Sequence, residues 1–438
     1  MKTRRKAKDK IHVITLGCSK NTVDSEKLMA QLNAHAVQVQ HNAEQSDART
    51  VIINTCGFIN DAKQESVDTI LEYINAKEQG LIDNLYVMGC LSERYAKELK
   101  TEMPEVDQFF GVNNIEDIVK ALGYDYKSNL VGERLLSTPS HYAYLKIAEG
   151  CNRKCSFCAI PLIRGKYESF AVDDLLTEAK LLAKHGVKEL LLIAQDTSYY
   201  GMDIQKSSLL TTLLEKLSEI NEIEWIRLHY AYPAGFPKDV IDVIASNPKM
   251  CKYLDIPVQH ISDNMLKIMR RGLDKKKTIE LIENFRSKIP GLSIRTTLLV
   301  GHPGETEADF EELYNFVCDT KFDRLGIFTY SHEEDTYAAR HYKDSINPGV
   351  KQERANIIMK AQQEISLLKN RQRIAHTMKV VIDNIDDAAA YGRTQYDSPE
   401  VDNEVIINNP ENIKVGSFYD VKIIEAGEFD LEGELVKP

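Results

Sequence analysis

No stretch of the sequence holds about 18 consecutive apolar residues, so no helix is expected to span a membrane. The first ten residues, 1–10, are basic but lack the apolar segment of a secretory signal. They are expected to form a disordered arm; a weak contact with nucleic acid is the other reading. Cysteine is scarce: eight in 438 residues are too few for a disulfide scaffold and suit a reducing, cytoplasmic compartment where thiols bind metal. Basic residues are outnumbered 55 to 66. The net charge of −11 argues against a general nucleic-acid binder and favours a basic partner. Internal repeats and low-complexity tracts are missing. What is present, 43% hydrophobic and 28% charged residues, suits a chain that buries large cores, with length for roughly two to four domains.

Three of the eight cysteines crowd into Cys151-Asn152-Arg153-Lys154-Cys155-Ser156-Phe157-Cys158. A strand-like run from Tyr142 to Ala148 leads in, and Glu149-Gly150 makes the turn. Such a loop can fold three thiols around one small object. Iron–sulfur clusters normally take four thiolates, so three leave one iron open, and an open metal position marks chemistry rather than scaffolding. A zinc loop or a disulfide pair is the alternative. Zinc usually takes a fourth ligand from a second CxxC or an HxxxH, and no such partner lies nearby. The CxxxCxxC spacing with an aromatic before the last cysteine resembles the signature of the radical S-adenosylmethionine enzymes, carried here by Cys151, Cys155, Phe157 and Cys158. The resemblance implies a [4Fe–4S] cluster whose open iron binds the amino and carboxylate groups of S-adenosylmethionine, with Phe157 beside the cofactor. It also implies one-electron cleavage of the sulfonium to a 5′-deoxyadenosyl radical.

Residues 11–126 alternate strand and helix patterns, with strands at 11–17, 49–55 and 84–89, and predict a doubly wound parallel sheet. Each strand ends in a cysteine: Cys18, Cys56 and Cys90. Parallel sheets carry ligand sites at the carboxyl ends of their strands, so the three thiols fall on one edge of one sheet. They suggest a second cluster site, again one ligand short; for any one of them alone, a buried apolar cysteine is the other reading. The surrounding segments, Leu16–Asn21, Asn54–Ile59 and Met88–Leu91, look like the N-terminal motifs of the methylthiotransferases. That resemblance implies an additional [4Fe–4S] cluster that holds and delivers sulfur.

Residues 137–370 continue the alternation with six strands and crossover helices, which fits an open, partial (β/α) barrel with its chemistry on the C-terminal face. The resemblance implies the same fold. It places Ala194–Thr197 at the methionine end of S-adenosylmethionine and Gly301–Thr306 near the adenosine, with Gln195 and Arg295 as candidate cofactor contacts. Thr306 and Asp309 also read as a plain helix cap. His229, His260 and His302 sit near strand ends, as ligands or proton carriers or, more simply, as hydrogen-bonded framework. Cys251 and Cys318 lack partner spacing, and Cys318 reads as a buried structural thiol. A charged helix over 351–373, with Ile357, Ile358, Ala361, Ile365 and Leu368 as its apolar face, leads out of the barrel.

Residues 374–438 change to short strands and turns and predict a small β-barrel, from strands at 378–382, 404–407 and 419–424. This segment resembles the TRAM domain of methylthiotransferases, which helps bind RNA in the tRNA-modifying branch. Over residues 376–438 five Lys or Arg face fourteen Asp or Glu, a net of −9 out of the chain's −11. Such a module would repel a polyphosphate and attract a basic protein, unless the charge serves solubility alone. The departure matches the RimO type of methylthiotransferase. Tyr230–Pro233 and Asp255–His260 look RimO-like as well. The resemblance implies insertion of a methylthio group at the β-carbon of one aspartate in the twelfth small-subunit ribosomal protein. The expected partners are that protein or the ribosome, an electron donor and a sulfur donor. A tRNA methylthiotransferase is the alternative enzyme, and an iron–sulfur carrier or scaffold the alternative outside catalysis.

Overall fold

A computed structural model describes residues 10–130, 132–408 and 410–436. The basic arm expected over 1–10 lies outside the described residues except for Lys10, which opens the first strand. The chain forms two compact units. The first comprises residues 10–138, 144–152 and 159–181; the second comprises Pro139–Ala143, Arg153–Cys158 and everything from Leu182 onward.

The first unit is built on five parallel strands, β1 (Lys10–Thr15), β2 (Gln38–His41), β3 (Thr50–Thr55), β4 (Asn84–Gly89) and β5 (Gln108–Phe109), in the order β2-β1-β3-β4-β5. Helices α1 (Ser19–Asn33), α2 (Asn60–Glu78), α3 (Cys90–Glu102) and α4 (Ile115–Ala121) cover both faces. Alternation decides the face. Val51, Ile53 and Val87 pack with Ile70 and Ile74 of α2, whereas Ile52 and Met88 pack with Leu28, Met29 and Leu32 of α1. The doubly wound sheet is as expected. The edge strands β2 and β5 escape a sequence reading because Gln38-Val39-Gln40-His41 is mostly polar and β5 is two residues long.

Strand β6 (Tyr142–Lys146), of which only the first two residues belong to the second unit, stands at one edge of a six-stranded sheet. Two short strands of the first unit, β7 (Ala148–Glu149) and β8 (Glu168–Ser169), pair with each other. The six-stranded sheet continues through β9 (Glu189–Ile193), β10 (Trp225–Leu228), β11 (Met250–Asp255), β12 (Ser293–Val300) and β13 (Arg324–Thr329), in sequence order from β6 to β13. The pairs from β9 to β13 are parallel. This is the open partial barrel predicted. The helix leading out runs Pro348–Arg371, and its buried face differs from the expected one. Arg354, Ala355, Ile358, Gln362 and Ile365 point inward, while Ile357 and Leu368 are exposed. Arg354 and Gln362 are buried because Glu305 and the Phe322 carbonyl bind them.

The last segment closes a five-stranded barrel from β14 (Thr377–Ile385), β15 (Ala389–Thr394), β16 (Val405–Asn408), β17 (Phe418–Ala426) and β18 (Leu431–Leu435). Two of these strands, β15 and β18, carry no strong sequence signal: one is Ala-Ala-Tyr-Gly-Arg-Thr and the other Leu-Glu-Gly-Glu-Leu. The barrel packs on the N-terminal ends of the core strands. Trp225 meets Phe418 edge-on at 4.8 Å, Arg393 pairs with Glu189 at 2.9 Å, and Arg324 pairs with Asp397 at 2.9 Å.

Candidate functional site: two thiol trios

In the first unit the three strand-end cysteines lie at the topological switch point of the sheet and beside it, where α/β folds bind ligands. Cys18 precedes α1 and is exposed; Cys56 follows β3 and Cys90 opens α3, and both are buried. They sense one another: Cys18 raises the pKa of Cys56, and both raise that of Cys90, behind the larger effect of burial in each case. Burial pushes the bare Cys90 thiol up to about 12. Gly17, at φ +89°, makes room for this arrangement, because a Cβ there would stand 2.7 Å from the Cys56 Cβ and 3.0 Å from its Sγ.

A buried charge network supports the trio. Arg164 donates to Cys90 Sγ at 3.4 Å and to Asn21 Oδ1 at 2.6 Å. It also pairs with Glu149 at 3.0 Å and Asp24 at 3.3 Å, and Lys146 binds the same two carboxylates. All four charges are nearly excluded from water. Burial opposes the charges of Lys146, Glu149 and Arg164, yet the cations hold Glu149 down at about 2, and Asp24, Cys90 and Glu149 raise Arg164 well above its ordinary value. Glu149 stands two residues before Cys151, whose N–H donates to the Gly165 carbonyl at 3.1 Å. Gly150, at φ +72°, admits no side chain, since a Cβ would lie 2.1 Å from the Lys166 carbonyl oxygen.

Cys151 belongs to the first unit, and Cys155 and Cys158 to the second. In the second unit Ser156 fixes the cysteine loop. Its N–H donates to the Met269 carbonyl at 3.1 Å, its carbonyl accepts from Ala338 N–H at 2.7 Å, and its hydroxyl meets His302 Nε2 at 3.1 Å. Phe157 packs edge-on against His302 at 6.3 Å, beside Met265, Met269 and Tyr330. Arg153 pairs with Asp196 at 2.7 Å and lies over the Tyr232 ring at 4.1 Å. Arg271 donates to Cys155 Sγ at 3.0 Å and lies 4.4 Å from the centre of the same Tyr232 ring. Gln195 follows β9 at its carboxyl end, half-buried and next to Asp196. Arg295 is the third residue of β12, and its guanidinium is held by Asp255 at 3.5 Å and by Asp402 of the barrel segment at 3.3 Å.

The histidines have framework duties. His302 Nδ1 donates to the Pro303 carbonyl, so Nε2 accepts from Ser156, and burial lowers its pKa to about 4. His260 Nδ1 accepts two backbone N–H groups, which leaves Nε2 to donate to Glu305 at 3.2 Å. His229 meets Ser398 of the barrel segment at 3.1 Å. Thr306 and Asp309 form a capping box. Cys251 is fully buried, while Cys318 is half-buried rather than buried as expected, on the outer helix Glu307–Thr320.

Among the described residues, no three Cys, His, Asp or Glu side chains are grouped as one metal ion would need. A cluster takes each thiolate on a different iron, so its ligands are spread wider than those of a single ion. The soft thiol donors Cys18, Cys56 and Cys90, touched by buried Arg164, and Cys155 and Cys158, touched by buried Arg271, suit iron–sulfur ligation. Arg153, Arg164 and Arg271 are the residues a sequence reading misses. Arg153 lies inside the cysteine loop, but the other two are far from their sulfurs along the chain, and only the fold brings them there.

Three family models match the chain: "Uncharacterized protein family UPF0004" over residues 10–111, "Radical SAM superfamily" over 145–317 and "TRAM domain" over 374–436. The chain is 54% identical over 438 residues to the ribosomal protein uS12 methylthiotransferase RimO of Cytophaga hutchinsonii, covering all of both chains. It is 54% identical to the protein of the same name from Flavobacterium johnsoniae, covering 99% of this chain and all of that one. The Bacteroides fragilis counterpart is 52% identical, covering 97% of this chain and 99% of that one. Among solved structures, the radical S-adenosylmethionine methyltransferase TsrM of Kitasatospora setae is similar with a TM-score of 0.56 and 13% identity, over 76% of this chain and 77% of that one. That likeness speaks to the fold. With three family models in order along its length and relatives of this identity from end to end, the chain belongs to the RimO family of radical S-adenosylmethionine methylthiotransferases.

Proposed function

We propose that the protein is a cytoplasmic enzyme that inserts a methylthio group at the β-carbon of an aspartate in the small-subunit ribosomal protein uS12. The end-to-end identity to uS12 methylthiotransferases carries this reading. Cys151, Cys155 and Cys158 hold one [4Fe–4S] cluster, and Cys18, Cys56 and Cys90 hold a second. When bound, the clusters and S-adenosylmethionine supply the electron, the radical, the sulfur and the methyl group that an unactivated C–H demands and side chains cannot provide.

The chain's own residues position these groups. Ser156, held from both sides by Met269 and Ala338, sets the loop that carries Cys155 and Cys158. Phe157 gives the cofactor an apolar wall, and Gln195, at a strand's carboxyl end, meets its methionine end. Arg295 ties β12 to Asp255 of β11 and to Asp402 of the barrel segment. The barrel segment attracts the basic substrate through its outward carboxylates. Glu425 and Glu432 stand directly opposite each other on β17 and β18, a like-charge pair that costs stability and is explained by a cationic partner. An electron donor and a sulfur donor complete the set of partners.

The decisive experiment incubates anaerobically reconstituted enzyme with uS12 and, separately, with tRNA. Mass spectrometry should find a methylthio increment on uS12 alone. An increment on tRNA alone would overturn the assignment, and no 5′-deoxyadenosine after reduction would make the protein a cluster carrier.

A further inference from the structure

Each thiol trio is touched by one buried arginine, and the two arginines differ in one respect. Arg164 donates to Cys90 Sγ at 3.4 Å, but its charge is matched: Arg164 and Lys146 face Asp24 and Glu149, two cations against two carboxylates. Arg271 donates to Cys155 Sγ at 3.0 Å. Its remaining contacts are the Pro257 carbonyl and the face of Tyr232, and the Tyr232 hydroxyl in turn donates to the Arg271 carbonyl at 2.6 Å. Among the described residues no carboxylate pairs with Arg271, although its side chain is buried. A full positive charge therefore sits in a low-dielectric site against a ligand sulfur of the radical-forming trio.

Hydrogen bonds to ligand sulfurs, net charge and exposure set the potential of an iron–sulfur cluster. An unmatched cation favours the more negative, reduced state. A matched one contributes its hydrogen bond and little field. We propose that Arg271 is a positioning residue that raises the reduction potential of the cluster on Cys151, Cys155 and Cys158, while charge-balanced Arg164 leaves that of the cluster on Cys18, Cys56 and Cys90 low. An incoming electron is thereby directed to the cluster that needs it for S-adenosylmethionine cleavage, and the sulfur-handling cluster stays oxidised. The couple is simple: an external reductant loses one electron, the cluster gains it, and no bond to either arginine forms or breaks. Tyr232 holds both Arg153 and Arg271 against its ring, which keeps the Arg271 fork aimed at the sulfur without adding an anion.

This inference rests on the two-cluster reading, and the test separates them. Single-cluster proteins are made with C18A/C56A/C90A and with C151A/C155A/C158A, reconstituted, and assayed for iron and sulfide. If either holds no cluster, the two-cluster reading falls. If both do, EPR-monitored redox titrations follow for R271Q and R271K in the first protein and R164Q in the second. R271Q should lower the ratio of reduced to oxidised cluster at a fixed potential at least tenfold, or 59 mV for a one-electron couple. R271K, which keeps the charge, should restore part of the loss, and R164Q should shift its cluster by less than R271Q. An unshifted R271Q, or a shift matched by R164Q, overturns the proposal. Should R271Q fail to hold its cluster, R271K decides: a shift of less than tenfold from the parent supports the charge, and a shift of tenfold or more refutes it.

Discussion

At the scale of single residues, the thiol sites depend on groups that hold no metal. Gly17 illustrates the point. A methyl group there meets Cys56, and the positive φ adds a strain of roughly 1–2 kcal/mol for any L-residue. On the proposed two-cluster reading, Gly17→Ala should therefore displace the Cys56 sulfur and strip the N-terminal trio of iron, while the Cys151 trio keeps its own. Iron analysis should fall to about half, with the electronic spectrum of the remaining cluster intact. His302 makes a second case. Burial lowers its pKa from an ordinary 6.5 to about 4, so the unfolded chain takes up a proton that the folded one refuses. Its contribution is complete above pH 6.5 and is lost as pH falls towards 4, by about 3 kcal/mol in all. Urea denaturation of metal-free protein at pH 7 and pH 4.5 should show wild type losing about 2–3 kcal/mol more than His302→Gln over that interval. Equal losses would mean that His302 titrates normally. The cysteines were legible in the sequence because spacing and strand ends are local properties. Arg164 and Arg271 were not, because the fold must first bring residues 74 and 116 positions apart together.

At the scale of elements, the patterns legible in sequence were the long ones. β3, β4 and β12 announce themselves as apolar runs, and the helix at Glu307–Thr320 announces its start through Thr306 and Asp309. What escaped were elements whose stability comes from a neighbour rather than from their own residues. β15 is such an element: Gly392 lies where a Cβ would be 2.4 Å from the Val381 carbonyl oxygen, and Arg393 is buried only because Glu189 and Asp383 receive it. This strand therefore belongs as much to the barrel's joint with the core as to the barrel. Arg393→Ala leaves half-buried Asp383 and one oxygen of buried Glu189 without their cation. It should cost about 3–5 kcal/mol, read as a lower urea midpoint. Replacement of exposed Lys379, paired with Glu224 at 3.0 Å, should change the midpoint little. A comparable fall in both variants would show that the joint is not held by its buried charges.

At the scale of the second unit as a whole, the acidic barrel and the loop proposed to meet the cofactor lie at opposite ends of one sheet. The barrel contacts Glu189, Trp225 and Arg324, each the first residue of its strand, whereas Gln195 and Asp196 follow the other end of β9. A strand of five residues separates the ends by roughly 17 Å. The charge of the segment is also divided. Asp397 and Asp402 are used inward on Arg324 and Arg295, while Glu425, Glu428, Asp430 and Glu434 stay exposed on and around the β17–β18 turn. A carboxylate set at that distance cannot touch the reacting aspartate and must act on a remote part of the substrate. Remote, exposed charge changes encounter and affinity more than the chemical step. Replacing Glu425, Glu428, Glu432 and Glu434 by Gln should therefore raise KM for uS12 about tenfold at low salt, with kcat within twofold. The gap should narrow as ionic strength rises and the Debye length falls below about 10 Å. A short peptide that carries only the target aspartate should be modified equally by both forms. A loss of kcat with the peptide would instead place the acidic turn in the chemistry, and an unchanged KM for the intact protein would reduce its charge to a device for solubility.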